Sequence, residues 1–78
     1  MKYLFNGISN IQSDKNNMID DILEEIESIG EKVTVAQYKL NDHIYYSICA
    51  IVEAQSEKEV KNKIKSHLLF MNCNITEI

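Results

Sequence analysis

The sequence predicts a single α+β domain over residues 1–78, with its elements in the order β-α-β-β-α-β. Three observations carry that expectation. Apolar residues at Met18, Ile19, Ile22, Leu23, Ile26 and Ile29 repeat at helical spacing and make one stripe about 100° wide. Two β-rich runs, VTVAQYKL at 33–40 and HIYYSICAIVEA at 43–54, are separated only by Asn41-Asp42. Both turn residues tolerate positive φ, which a two-residue hairpin requires. Finally, Ser56-Glu57-Lys58-Glu59 has the spacing of a capping box at the start of a second helix.

The remaining elements follow from position. KYLFNGI, residues 2–8, is rich in aromatic and aliphatic side chains and reads as a first strand. Asn6-Gly7 could make a hairpin turn, but its flanks KYLF and ISNI are short and the second is half polar. A strand ending near Gly7 or Ile8, then a plain connection through Ser9–Ser13, is the better reading; free amides at the helix start could instead hold an anion. Ser13 or Asp14 can cap the first helix, and Gly30 can end it in the left-handed conformation. The second helix places Val60, Ile64, Leu68 and Met71 on one face. The run LLFM at 68–71 is apolar all round, so its last turn either tucks under the final strand or docks Leu69 and Phe70 on another chain. The segment CNITEI closes the chain as a short strand. Two β-α-β crossovers around a central hairpin give the ferredoxin-like, split-βαβ sandwich: four antiparallel strands with both helices on one face.

The hairpin also sorts its side chains. A two-residue turn sets Leu40 opposite His43, Lys39 opposite Ile44, Tyr38 opposite Tyr45, Ala36 opposite Ser47 and Thr34 opposite Cys49. Val33, Val35, Ile44, Tyr46, Ile48, Ala50 and Val52 then share one nearly apolar face, expected under the helices. Tyr38, Leu40, Tyr45 and Ile51 share the other, with Thr34, Ala36, His43, Ser47, Cys49 and Glu53. Apolar and tyrosine side chains on an open face suggest a contact surface for a partner or a second copy; tyrosine and threonine also simply suit a solvated strand.

Composition narrows the function classes. Net charge is −4, and all eight basic residues are Lys. An acidic chain is badly placed to neutralise phosphates, and Arg, the usual bidentate fork for phosphate or guanine, does not occur; direct nucleic-acid binding is not expected. Acylphosphatase-like enzymes share the expected topology but need an Arg in the first loop. RNA-recognition modules stack bases on aromatics of the first and third strands, and Tyr3, Phe5, Tyr45 and Tyr46 lie in those strands. The basic-Gly start of that motif is missing, so single-stranded RNA binding is a weaker alternative.

Two Cys 24 positions apart make no zinc or CxxC pattern, and His43 and His67 do not converge with them; the cysteines read as small fillers on strands that do not touch. No metal, cofactor or catalytic set is expected. The sequence has no apolar run of membrane-spanning length and no leader pattern, so a cytoplasmic, membrane-free protein is expected.

Helix one is acidic, with Asp20, Asp21, Glu24, Glu25, Glu27 and Glu31, while helix two carries Lys58, Lys61, Lys63 and Lys65. These are ordinarily solvated faces. The acidic ridge Asp20, Asp21, Glu24 and Glu25 could also meet a basic partner, such as the groove of a nucleic-acid-binding protein. The functional expectation is a small non-enzymatic interaction module, a regulator or inhibitor of a larger protein, of the sort phages and mobile elements encode. Its partner would be a protein, with or without a basic surface, or a second copy in a homodimer. The alternative is a ligand-sensing domain that binds an effector at a dimer interface near the 6–13 loop; no ligand-binding residues can be named for it.

Overall fold

Strand β1 (Lys2–Asn10), helix α1 (Met18–Ile29), strands β2 (Gly30–Leu40) and β3 (His43–Glu53), helix α2 (Glu57–Lys63) and strand β4 (Asn72–Glu77) build the protein in that order. The computed structural model describes residues 1–10, 18–65 and 70–78. The four strands form one sheet in the order β2-β3-β1-β4, with every neighbouring pair antiparallel. The protein is thus α+β, a four-stranded antiparallel sheet with two helices.

The hairpin is the local feature from which register follows. Asn41 and Asp42 have φ of 50° and 66°, both positive as the two central residues of a type I′ turn must be. Tyr38 therefore pairs with Tyr45, Leu40 with His43, Ala36 with Ser47 and Thr34 with Cys49, the register expected from the turn. Further back the pairing slips between Glu31 and Thr34, where Lys32 takes φ 52°. One extra residue there restores the face parity between Glu31 and Thr34.

Alternation then builds the core. Tyr3, Phe5 and Ser9 on β1, and Ile48, Ala50 and Val52 on β3, are buried, and Gly7 lies in the same row. Ile22 and Ile26 of α1, Val60 of α2 and Ile64 just after it close over them, so both helices contribute to one core. Phe70 completes it, standing edge-on to Phe5 with ring centroids 5.6 Å apart at 72°. Phe5, Ile26, Ile48, Val60 and Ile64 are fully buried, and each is worth about 1.5–3 kcal/mol relative to exposure.

Ser56 caps α2 as its spacing predicts. The Glu59 amide donates to Ser56 Oγ at 3.2 Å, and the Glu59 carboxylate reaches back to accept from the Gln55 amide at 3.2 Å. Lys63 in the last turn donates to the Glu53 carbonyl at 2.8 Å, tying the helix end to β3.

Several boundaries differ from the sequence reading. β1 runs straight through Asn6-Gly7 to Asn10, so there is neither a hairpin nor a strand end at that site. A Cβ on Gly7 would lie 2.7 Å from Phe70 Cδ1, so glycine stands there to admit the ring rather than to bend the chain. Gly30 is not a left-handed cap, since no described glycine has positive φ; α1 passes directly into β2, and Glu31 belongs to that strand. Helix α2 ends at Lys63 rather than near 71, because Ile64 leaves helical geometry at φ −93°, ψ 86°. Met71 is accordingly exposed, and Phe70 is buried in the core rather than offered to another chain. The proposed caps Ser13 and Asp14, the loop beyond Asn10, His67, Leu68 and Leu69 lie outside the described residues.

Candidate functional site: the open face of the sheet

Every residue opposite in parity to the core row points away from the helices. On β3 these are His43, Tyr45, Ser47, Cys49, Ile51 and Glu53; on β2, Thr34, Ala36, Tyr38 and Leu40, as the hairpin predicts. Strand β1 adds Leu4, which pairs with Ile51, and Ile8, which pairs with Ser47; sequence reasoning did not name either. The missed signal lies in Tyr3 and Phe5. Two aromatics spaced by two residues mark the inward row, which turns Leu4, Asn6 and Ile8 outward. Strand β4 contributes Asn72, Asn74 and Thr76 beside Ile8, Asn6 and Leu4.

Tyr38 is 59% exposed and Leu40 61% exposed at the hairpin end; Leu4 and Ile8 are less open, and Tyr45 and Ile51 are half-buried. The His43 and Tyr45 rings lie 6.3 Å apart, tilted at 47°. Near the middle of the face the Asn6 amide donates to Cys49 Sγ at 3.1 Å. The formal charges on this face gather at one end. Lys2 Nζ sits 2.6 Å from Glu31 Oε1, and the N-terminal ammonium sits 2.8 Å from Glu53 Oε1. Lys2 holds the Glu31 carboxyl below its ordinary range by hydrogen bond and charge, and is itself raised by the same pair. The N-terminal ammonium likewise lowers Glu53. A groove of about 340 Å³ opens beside these residues, lined in part by Ser28, Gly30 and Ile51.

The helix side behaves differently at the hairpin end. Val35 was expected under the helices and is instead 47% exposed, while Ile44 and Tyr46 are half-buried. The buried residues of β3 are Ile48, Ala50 and Val52, so the helices cover one end of the sheet and the hairpin extends past them. The base-stacking arrangement does not assemble: Tyr3 and Phe5 are buried in the core and Tyr46 shares their face, leaving Tyr45 alone of the four on the open side.

The acidic ridge forms. Asp20, Asp21 and Glu24 are exposed along α1 and Glu25 is half-buried. It lies on the helical layer, so it and the open sheet face are two separate surfaces.

Cys49 and Cys73 are not joined in a disulfide and lie on strands separated by β1. Burial pushes the Cys73 thiol up, away from nucleophilic use. Among the described residues no group of three or more His, Cys, Asp or Glu side chains could hold a metal ion, and no helix is long and apolar enough to cross a membrane. The chain matches no protein-family model, no curated protein and no solved structure.

Proposed function

We propose that the chain is a small non-enzymatic protein-binding module of ferredoxin-like class, engaging its target through the open face of the sheet and so regulating or inhibiting a larger protein. The class is supported by the order β2-β3-β1-β4, which sets β1 and β3, the strands that lead into α1 and α2, at the centre and both helices in one core. The function rests on one observation. Past the charged end of the face, the outward positions from Leu4 to Leu40 carry no Asp, Glu, Lys or Arg, and His43 at the hairpin is their one basic side chain, although a quarter of the chain is charged. In their place stand Leu4, Ile8, Tyr38 and Leu40, exposed, with Tyr45 and Ile51 between them. Depleted charge with exposed tyrosine and aliphatic side chains is the composition of an interface centre.

A second reading concerns the ridge on α1. Asp20, Asp21, Glu24, Glu25 and Glu27 with no basic residue between them suit a partner with a basic surface. The two readings separate in one experiment. The tagged protein captures its partner from host extract, and two variants compete: Tyr38→Ser with Leu40→Ser, and Asp20→Lys with Asp21→Lys and Glu24→Lys. Loss of capture in the first alone supports the sheet face. Loss in the second alone assigns the function to the ridge and overturns the sheet-face reading.

A further inference from the structure

We infer that the occupant of the open sheet face is a second copy of this chain, packed face to face in an isologous dimer with the helices outside. This rests on the open face being the interaction surface and names what covers it.

Charge is the first argument. The protein carries net charge −4, and five of its acids lie on α1. Two copies associate only where like charges are kept apart. The open face meets that condition. Its charges are confined to one end and already paired, Lys2 with Glu31 and the N-terminus with Glu53. A strongly basic or acidic target would find almost nothing there to complement, whereas a second copy finds nothing to repel. Stacked sheets lie about 10 Å apart, and a helical layer adds about as much on each side, so the two acidic helices end up roughly 30 Å apart. That is well beyond the screening length of about 8 Å at physiological salt.

Area is the second. The molecule measures 39 × 20 × 20 Å. Strands of 9, 11, 11 and 6 residues give the face an outline of roughly 600 Å² at ordinary strand spacing and rise. A stable interface takes about 800 Å² from each partner. Nearly the whole face must therefore be covered at once, by a surface equally broad and flat. Another such sheet, stacked at the small angle that twisted sheets adopt, has that shape.

The sheet edges argue against the other way of pairing copies. Edge strand β2 carries Lys32 at a bulge and Lys39 near its tip, and edge strand β4 is six residues long; charged, bulged or short edges resist strand-to-strand addition.

Sedimentation equilibrium on the full chain, from about 1 to about 500 μM, tests the inference, because stable interfaces near this size have affinities from about micromolar to picomolar. The wild type is expected to approach twice 9.0 kDa. Leu4→Glu with Leu40→Glu is expected to weaken the dimer by more than about 100-fold while the chain stays folded by circular dichroism, since it buries like charges against their own copies. Val35→Glu, on the opposite side of the same edge strand, is expected to change association by less than about threefold. Raising salt from about 50 to about 500 mM should leave the constant unchanged or tighten it. A folded wild type that remains monomeric throughout overturns the inference, and so does a dimer that Val35→Glu breaks and the Leu4, Leu40 variant does not. In the monomeric outcome the protein-binding reading still stands or falls separately, on capture of a different partner by the same face.

Discussion

The two faces of this sheet are made from the same strands and, residue for residue, from similar material. Phe5 and Leu4 are neighbours on β1, and Ala50 and Ile51 are neighbours on β3. One member of each pair is sealed beneath helices; the other meets solvent or sits half-covered. The difference teaches that hydrophobicity alone does not say which face is a core. On the helix side, apolar residues occur with a glycine that makes room for a ring and with Ile22, Ile26 and Val60 that complete the packing. On the open side they occur with Asn6, Asn74, Ser47 and Thr34, residues that tolerate water, and the paired charges of Lys2, Glu31 and Glu53 are kept to one end. That composition suits the contact surface proposed above.

The largest effects should come from the sealed face. Phe5→Ala removes a fully buried ring and its edge contact with Phe70, and is expected to cost about 3–5 kcal/mol, read from the urea midpoint. Against a total stability of about 5–15 kcal/mol for an ordinary domain, that leaves the chain near unfolding. Gly7→Ala is expected to cost about 1–3 kcal/mol, because its Cβ would press on the Phe70 ring at 2.7 Å. Pairing it with Phe70→Leu should recover part of the loss relative to the sum of the two single changes. A Gly7→Ala protein as stable as wild type would show that β1 and Phe70 are not packed so closely.

Smaller effects test the devices that set the two faces apart. Ser56→Ala removes the oxygen that accepts from the Glu59 amide, and should cost about 1 kcal/mol in thermal or urea unfolding. Asp42→Gly places the residue best suited to positive φ in the turn, and is expected to stabilise by about 0.5–1 kcal/mol without moving the Tyr38–Tyr45 register.

The pH dependence belongs to the charged end of the open face. Lys2 lowers the Glu31 carboxyl in the folded state from its ordinary 4.5, so this carboxylate contributes stability that is present above that value. The contribution disappears as pH falls through the lowered value. Lys2 is shifted the other way, so its share is present below 10.5 and lost as pH rises through the raised value. Lys2→Gln should therefore lower stability slightly between pH 4.5 and 10.5, by little because the pair is exposed, and its profile should converge on that of the wild type as the acid and alkaline limbs are reached.

Much of this architecture was legible without coordinates, and the legible parts share a cause. The hairpin register, the capping of α2 and the stripe on α1 all depend on residues within four positions of one another, where spacing alone decides geometry. Tyr38, Leu40, Tyr45 and Ile51 could be assigned to one face because a two-residue turn leaves no freedom of parity. The unreadable parts depended on distant neighbours. Asn6-Gly7 looks like a turn, and only the Phe70 ring explains a glycine in mid-strand. The stripe Val60, Ile64, Leu68 and Met71 looks like a long helix, but α2 stops at Lys63, where Ile64 turns into the core and leaves Met71 in solvent. The spacing of Tyr3 and Phe5 turns Leu4 and Ile8 outward, but only the pairing of β1 with β3 sets them beside Ile51 and Ser47.

By itself, then, the order of residues determined the kinds of element, the reversal at Asn41-Asp42 and the parity that runs back from it, because each arises from short-range sterics and hydrogen bonds. Only the tertiary structure decided where the helices come to rest, how far they reach along the sheet, and so which apolar residues are sealed and which remain open. Those outcomes follow from long-range burial, in which a side chain's surroundings come from segments far away in the chain.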